Sequence, residues 1–304
     1  MKYWSELSDF DIKSISSYVK SRKLENYIFR GLPENIDDNL LETSFDKLIG
    51  ILACQGIVIS DKDRWKYEGQ LLYEFKRRAH YYLKEYGVPG AGNFLEWLSL
   101  MRHYGSPSRL LDFTYSFYIA LYFAVYRAKK DKDSCIVAIN WKWLVEKVEK
   151  DLLENHKRKK NLYFQSPEVF HKYAMVHFSK MRPSIIRGPR PYIIPVRPYR
   201  SNERIHMQQG LFLCPANVNL SFEGNLIDRS FSSGTELKNN IKKIIIPKNL
   251  IPEIFLELNK MNIGSETLFT GLSGYAESLI KLLYKPIEPI FEERLKQSIE
   301  SPEF

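Results

Sequence analysis

Apolar positions recur along the chain at helical or strand spacing. Phe10, Ile12, Ile15 and Val19 form a stripe that predicts a short amphipathic helix over 7–23. The run from Tyr27 to Gly31 is strand-like and enters a turn at Pro33. Leu71, Leu72, Phe75, Ala79, Tyr82 and Leu83 predict a helix over 66–86, stopped by Gly87, Pro89 and Gly90. Phe94, Trp97, Leu98 and Met101 predict another over 93–104. A short apolar segment, 109–114, leads to a strong helix over 117–130, for which Thr114 or Ser116 is a natural N-cap.

Cys135 to Ile139 reads as a buried strand, and 141–150 as a helix with a charged extension over 151–160. Five prolines between Pro183 and Arg200 exclude a helix and predict an extended connection. Strands are expected again over 208–214 and 241–247, and helices over 252–261 and 271–284. Helices and strands mix without regular βα alternation, so the expected class is α+β, a mixed and largely antiparallel core sheet flanked by helices.

With 304 residues, 44% hydrophobic and 27% charged, the chain can bury a full core. No apolar run approaches the roughly 20 residues that cross a bilayer, and the acidic start lacks the apolar stretch of a secretory signal. The three cysteines have no zinc-ligand spacing; Cys135 and Cys214 sit in apolar runs as reduced core residues would. The expectation is a cytoplasmic protein with no membrane partner and no metal.

The net charge is +9, and residues 180–206 carry six of it, with seven Lys/Arg against the single acid Glu203. Just upstream lies Lys157-Arg158-Lys159-Lys160. Such an arc, including Arg182, Arg187 and Arg190, fits a nucleic acid or a phosphate-bearing ligand, and equally a solvated basic face.

The densest chemistry lies between Trp97 and Ala124. Within it Arg102, His103, Tyr104, Arg109, Asp112, Thr114 and Ser116 surround a Gly/Pro turn and a helix start. A helix N-terminus favours an anion, Arg109 offers a forked donor for phosphate or carboxylate, and His103 can exchange a proton near neutral pH. Asp112, set among Leu110, Leu111 and Phe113, needs a cation if it is to stay charged when buried. The same residues fit an internal Asp112–Arg109 or Asp112–Arg30 pair that merely holds a turn. Arg30, closing an apolar strand, and the adjacent Gln208 and Gln209, expected in a strand beside Arg204, are the other candidates. Rossmann, Walker, Gly-x-Ser-x-Gly and His-Glu-x-x-His motifs are absent.

Phe29-Arg30-Gly31, the run His103-Tyr104-Gly105-Ser106-Pro107-Ser108-Arg109-Leu110-Leu111-Asp112-Phe113-Thr114 with Ala120 to Ala124, and Arg204 to Phe212 together resemble the FRG-domain family. The resemblance implies an FRG-type domain over 25–285, with a basic insertion at about 145–203, a helical N-terminal extension over 1–24 and a tail over 286–304. It associates the chain with bacterial toxin and phage-defence systems.

The order of these motifs is in turn similar to the ADP-ribosyltransferase plan, which implies NAD as substrate. On that plan Arg30 grips the dinucleotide, Thr114 and Ser116 line the pocket, and Gln208 or Gln209 takes the late-strand position. No acid follows those glutamines, a departure from the plan, and Asp112 is the carboxylate offered in its place. The implied set is Arg30, His103, Asp112 and Gln209 for catalysis, and Arg30, Tyr104, Arg109, Thr114, Ser116, Arg204 and Gln208 for substrate. A protein target or an antitoxin would be the partner. The alternative is a non-catalytic nucleic-acid or nucleotide-binding module using Lys157, Arg158, Lys159, Lys160, Arg182, Arg187 and Arg190.

Overall fold

A computed structural model describes residues 2–10, 15–38, 40–83, 88–90, 93–156, 191–198 and 203–284, the side chains of 151–156 excepted. Its centre is a seven-stranded sheet. The strands are β1 (Ser5–Leu7), β2 (Tyr27–Leu32), β3 (Leu111–Thr114), β4 (Ser134–Asn140), β5 (Ile193–Val196), β6 (Gly210–Pro215) and β7 (Ile241–Ile246), in the spatial order β1-β7-β4-β2-β3-β6-β5. Only β1 runs parallel to its neighbour, β7; every other pair is antiparallel. The fold is α+β with a mixed, largely antiparallel sheet flanked by helices.

β4 shows why the sheet lies deep in the molecule. All residues from Ser134 to Ile139 are buried, so the strand reads as an unbroken apolar run rather than an alternating one. One face carries Ile28, Val137, Ile139, Leu111, Phe113 and Leu213 against the helices α3 (Arg64–Ala79), α4 (Phe94–His103) and α6 (Trp141–His156). The other carries Phe29, Ile136, Ala138 and Ile244 against α1 (Ile15–Ser21), α5 (Phe117–Tyr126) and the helix Ile251–Lys260. The remaining long helix, α2 (Ser44–Cys54), opens with a capping box in which Thr43 and Asp46 bond each other's backbone.

Several expectations need adjustment. The N-terminal residues contribute an edge strand, β1, and the helix expected over 7–23 is confined to Ile15–Ser21, with 11–14 outside the described residues. A strand pair forms where one edge of β7 was available, and that outweighs the weak helical stripe. Gln208 and Gln209 are not in a strand. They end a short helix, α7 (Glu203–Met207), with Gln208 and Gln209 N–H bonded to the carbonyls of Arg204 and His206 and Gln209 at φ 45°. Pairing resumes only at Gly210. The extended, proline-rich stretch contains β5, which pairs with β6, while 157–190 lie outside the described residues.

Cys135 and Cys214 are free and buried, and burial pushes their thiols up to about 11 and about 12. Among the described residues no helix is long and apolar enough to cross a membrane.

Candidate functional site

The Phe29-Arg30-Gly31 run divides its labour between the two faces of β2, as the alternation of a strand requires. Phe29 is buried and meets the ring of Phe117 edge-on at 5.3 Å. Gly31 lies against the backbone of α5: a Cβ there would stand 1.9 Å from the Ala120 carbonyl oxygen and 2.5 Å from the Ala124 nitrogen. These two residues seat the helix, and Arg30 between them turns away from it.

β2 pairs with β4 over six residues but with β3 through one pair only, Phe29 with Thr114. Where the two strands part, the Arg30 guanidinium fills the gap. Its Nη1 donates to the Asp112 carbonyl oxygen at 2.9 Å and stands 3.9 Å from the Asp112 carboxylate. Its Nε is buried with no hydrogen-bond partner.

Asp112 is the meeting point. Its Oδ2 accepts from Arg102 Nε at 2.8 Å and Nη2 at 2.5 Å, Arg102 coming from the last turn of α4. Arg204, on α7, stands with its guanidinium 4.9 Å over the Phe269 ring and acts electrostatically on both Asp112 and His103. Two guanidinium groups, of Arg102 and Arg30, thus lie within 4 Å of one carboxylate, and Arg204 adds a third positive charge to its field, an excess of two. The cluster remains open to solvent: the side chains of Asp112, Arg102 and Arg30 are 46%, 26% and 21% exposed.

The charge states follow from this crowding. Burial acts upward on the Asp112 carboxyl, but Arg102, Arg30 and Arg204 together hold it below the usual carboxylate range. Burial pushes Arg30 down to about 10, with Asp112 opposing and Arg102 assisting, so it stays cationic at neutral pH. Burial first and Arg204 second lower the His103 imidazole below 6.5. His103 is therefore mostly neutral at pH 7 and can accept a proton. Its ring meets that of exposed Tyr104 edge-on at 4.8 Å.

Arg30, Arg102, His103, Asp112 and Arg204 come together; other candidates do not. Arg109 is buried in a pair with Glu68, to which both Nε and Nη2 donate, and it also bonds the carbonyls of Pro215 and Ala216. It faces Phe94 at the start of α4, whereas Asp112 is held by Arg102 at the end, about 12 Å further along at 1.5 Å per residue. The Asp112–Arg109 pair is absent; the Asp112–Arg30 contact is present.

Thr114 and Ser116 are engaged in local structure. The Thr114 hydroxyl donates to the Gln208 carbonyl and accepts from Ser116 N–H, while Ser116 Oγ caps α5 by accepting from Ile119 N–H. Gln208 donates to the Leu268 carbonyl, and the carbonyl of exposed Gln209 accepts from Tyr115 N–H. Lys157, Arg158, Lys159, Lys160, Arg182, Arg187 and Arg190 lie outside the described residues. In the sequence Arg102 stands out only as part of its run. One signal for it was its place ten residues before an aspartate in an apolar segment, at the end of a helix that must pack on the sheet.

An FRG domain model matches residues 25–133, a span that holds Arg30, Arg102, His103 and Asp112. Residues 25–133 carry an FRG domain. Arg204 joins this FRG cluster from beyond the matched span. No curated protein and no solved structure matches the chain.

Proposed function

We propose that the arginine cluster of this FRG domain binds the pyrophosphate of a dinucleotide, and that the chain is an NAD-using, ADP-ribosyltransferase-like effector of the toxin or phage-defence kind. The observation that carries this reading is the convergence of Arg30, Arg102 and Arg204 on the single carboxylate of Asp112. Forked guanidinium donors match phosphate oxygens, and an excess of two positive charges favours a dianionic pyrophosphate. In the reaction the bond from the ribose C1′ to the nicotinamide nitrogen breaks, and its electron pair leaves with nicotinamide. On this reading Asp112 supplies negative charge toward the developing ribosyl cation, and neutral His103 takes the proton of the incoming nucleophile, whether water or a side chain of a target protein.

A non-catalytic nucleotide-binding reading has its own support, since Oδ2 of Asp112 already accepts two bonds from Arg102. The carboxylate would then organise the arginines and leave the glycosidic bond intact. Purified protein incubated with NAD, with and without cell extract, separates the two. Nicotinamide release that vanishes in Asp112→Asn, with the melting temperature kept, supports the enzyme. An NAD-induced thermal shift without release supports the binding module. Neither shift nor release rejects the dinucleotide.

A further inference from the structure

Helix α3 buries two charged side chains alongside its apolar ones, Leu72 and Ala79. Its inward positions include Arg64, paired with Asp46, and Glu68, paired with Arg109, all four nearly buried. Its outward side carries aromatic rings among its charged residues. Tyr73 is 65% exposed, and Tyr81 and Tyr82, in the turn that follows, are 68% and 83% exposed. Lys66, Gln70, Tyr73 and Arg77 follow one another at steps of three and four residues, which places them along one face, and Tyr81 follows in the turn with its ring 4.0 Å from that of His80.

The cations on that face are available. Lys66 meets Asp63 at 2.5 Å, while Arg77 and Arg78 share the single carboxylate of Glu74 at 2.8 and 3.6 Å, all on exposed side chains. Exposed pairs of this kind contribute little and exchange readily for another anion. Two arginines on one glutamate leave the face net positive, in a chain that is itself +9. Tyrosines interleaved with lysine and arginine offer flat rings for nucleobases and cations for the phosphates between them.

The geometry points to this face of α3, with the turn after it, as a binding surface for a single-stranded polynucleotide, its bases stacked on Tyr73 and Tyr81 and its phosphates on Lys66, Arg77 and Arg78. The surface is separate from the arginine cluster and uses none of its residues.

Fluorescence anisotropy of the full chain with a labelled oligodeoxythymidine of about 16 residues tests it. Binding is expected to fall steeply with salt. The double variant Tyr73→Ala/Tyr81→Ala should weaken it by about tenfold or more, because each lost stacking contact has an effect of that order. Its melting temperature should be unchanged, both rings being exposed, and Tyr73→Trp/Tyr81→Trp should bind at least as well as the unaltered protein. Inorganic polyphosphate, which has charge and no bases, should bind the alanine variant as it binds the unaltered chain. Oligonucleotide affinity that stays within about twofold in the alanine variant, or no binding at low salt, overturns the proposal.

Discussion

Arg102 directs two N–H groups, Nε and Nη2, at one oxygen of Asp112, at 2.8 and 2.5 Å. The pair ties the end of α4 to β3 and fixes the carboxylate between Arg102 and Arg30. Replacing Arg102 by alanine should leave Arg30 as the nearest cation and raise the Asp112 carboxyl. With Asp112 half-exposed, the expected stability loss is about 1 kcal/mol, discounted for solvent from the range for charged hydrogen bonds. Urea denaturation measures it. The pH dependence has a definite sign. Asp112 titrates lower folded than unfolded, so its contribution is fully present above its ordinary value of 3.8 and is lost as pH falls through the lower, folded value. Arg102→Ala should shrink that acid-side loss.

His103 should titrate below 6.5 by NMR, and Arg204→Ala should move it part of the way back, since burial, the larger cause, remains. Between 6.5 and the folded value the unfolded chain takes up the proton first, so stability declines as pH falls through that window and levels below it. A bound pyrophosphate should raise the same resonance by adding negative charge. Absence of any such rise on adding NAD would argue against contact between His103 and the ligand.

Gly31→Ala should be among the most damaging small substitutions in the chain. The added carbon meets backbone of α5 at Ala120 and Ala124, where no side chain can swing aside. Either β2 or α5 must shift, at a cost of about 3 kcal/mol. Thermal melting would show it. Activity should fall with it, because Arg30 is carried on the displaced strand.

Arg109, expected from its motif to touch the ligand, belongs to a buried pair. Glu68→Ala should cost about 3–5 kcal/mol by stranding a charged guanidinium. Replacing both partners, Glu68→Leu with Arg109→Met, should recover most of that and preserve NAD binding, as read by thermal shift. Loss of NAD binding in a stable double variant would return Arg109 to the site.

Local features of this fold were legible because they are written locally. Ser116 capping α5, the unbroken apolar run of β4, and the Arg30 side chain pointing away from its two neighbours all follow from spacing within a few residues. Pairings across long separations were less so: of the two partners open to Asp112, Arg30 makes the contact and Arg109 does not. Arg109 finds Glu68 forty-one residues upstream, and nothing in the spacing distinguishes that acid from Asp112, three residues downstream. Gln208 and Gln209 carry strand-compatible neighbours on their C-terminal side, but a five-residue helix precedes them, and its end fixes their backbone. The short edge strand β1 has no periodicity of its own and exists because β7 offers it a partner.

The single residue pair between β2 and β3 has a consequence for how a ligand is recognised. Among the described residues, the other neighbouring strands pair over three to six residues each. At this one place, in the middle of the sheet, two strand edges diverge beside a cluster of arginines, and an arginine side chain does what a neighbouring strand would have done for the Asp112 carbonyl. A molecule entering there would meet peptide N–H and C=O groups as well as guanidinium groups. Part of its recognition would then reside in the main chain, beyond the reach of any side-chain substitution.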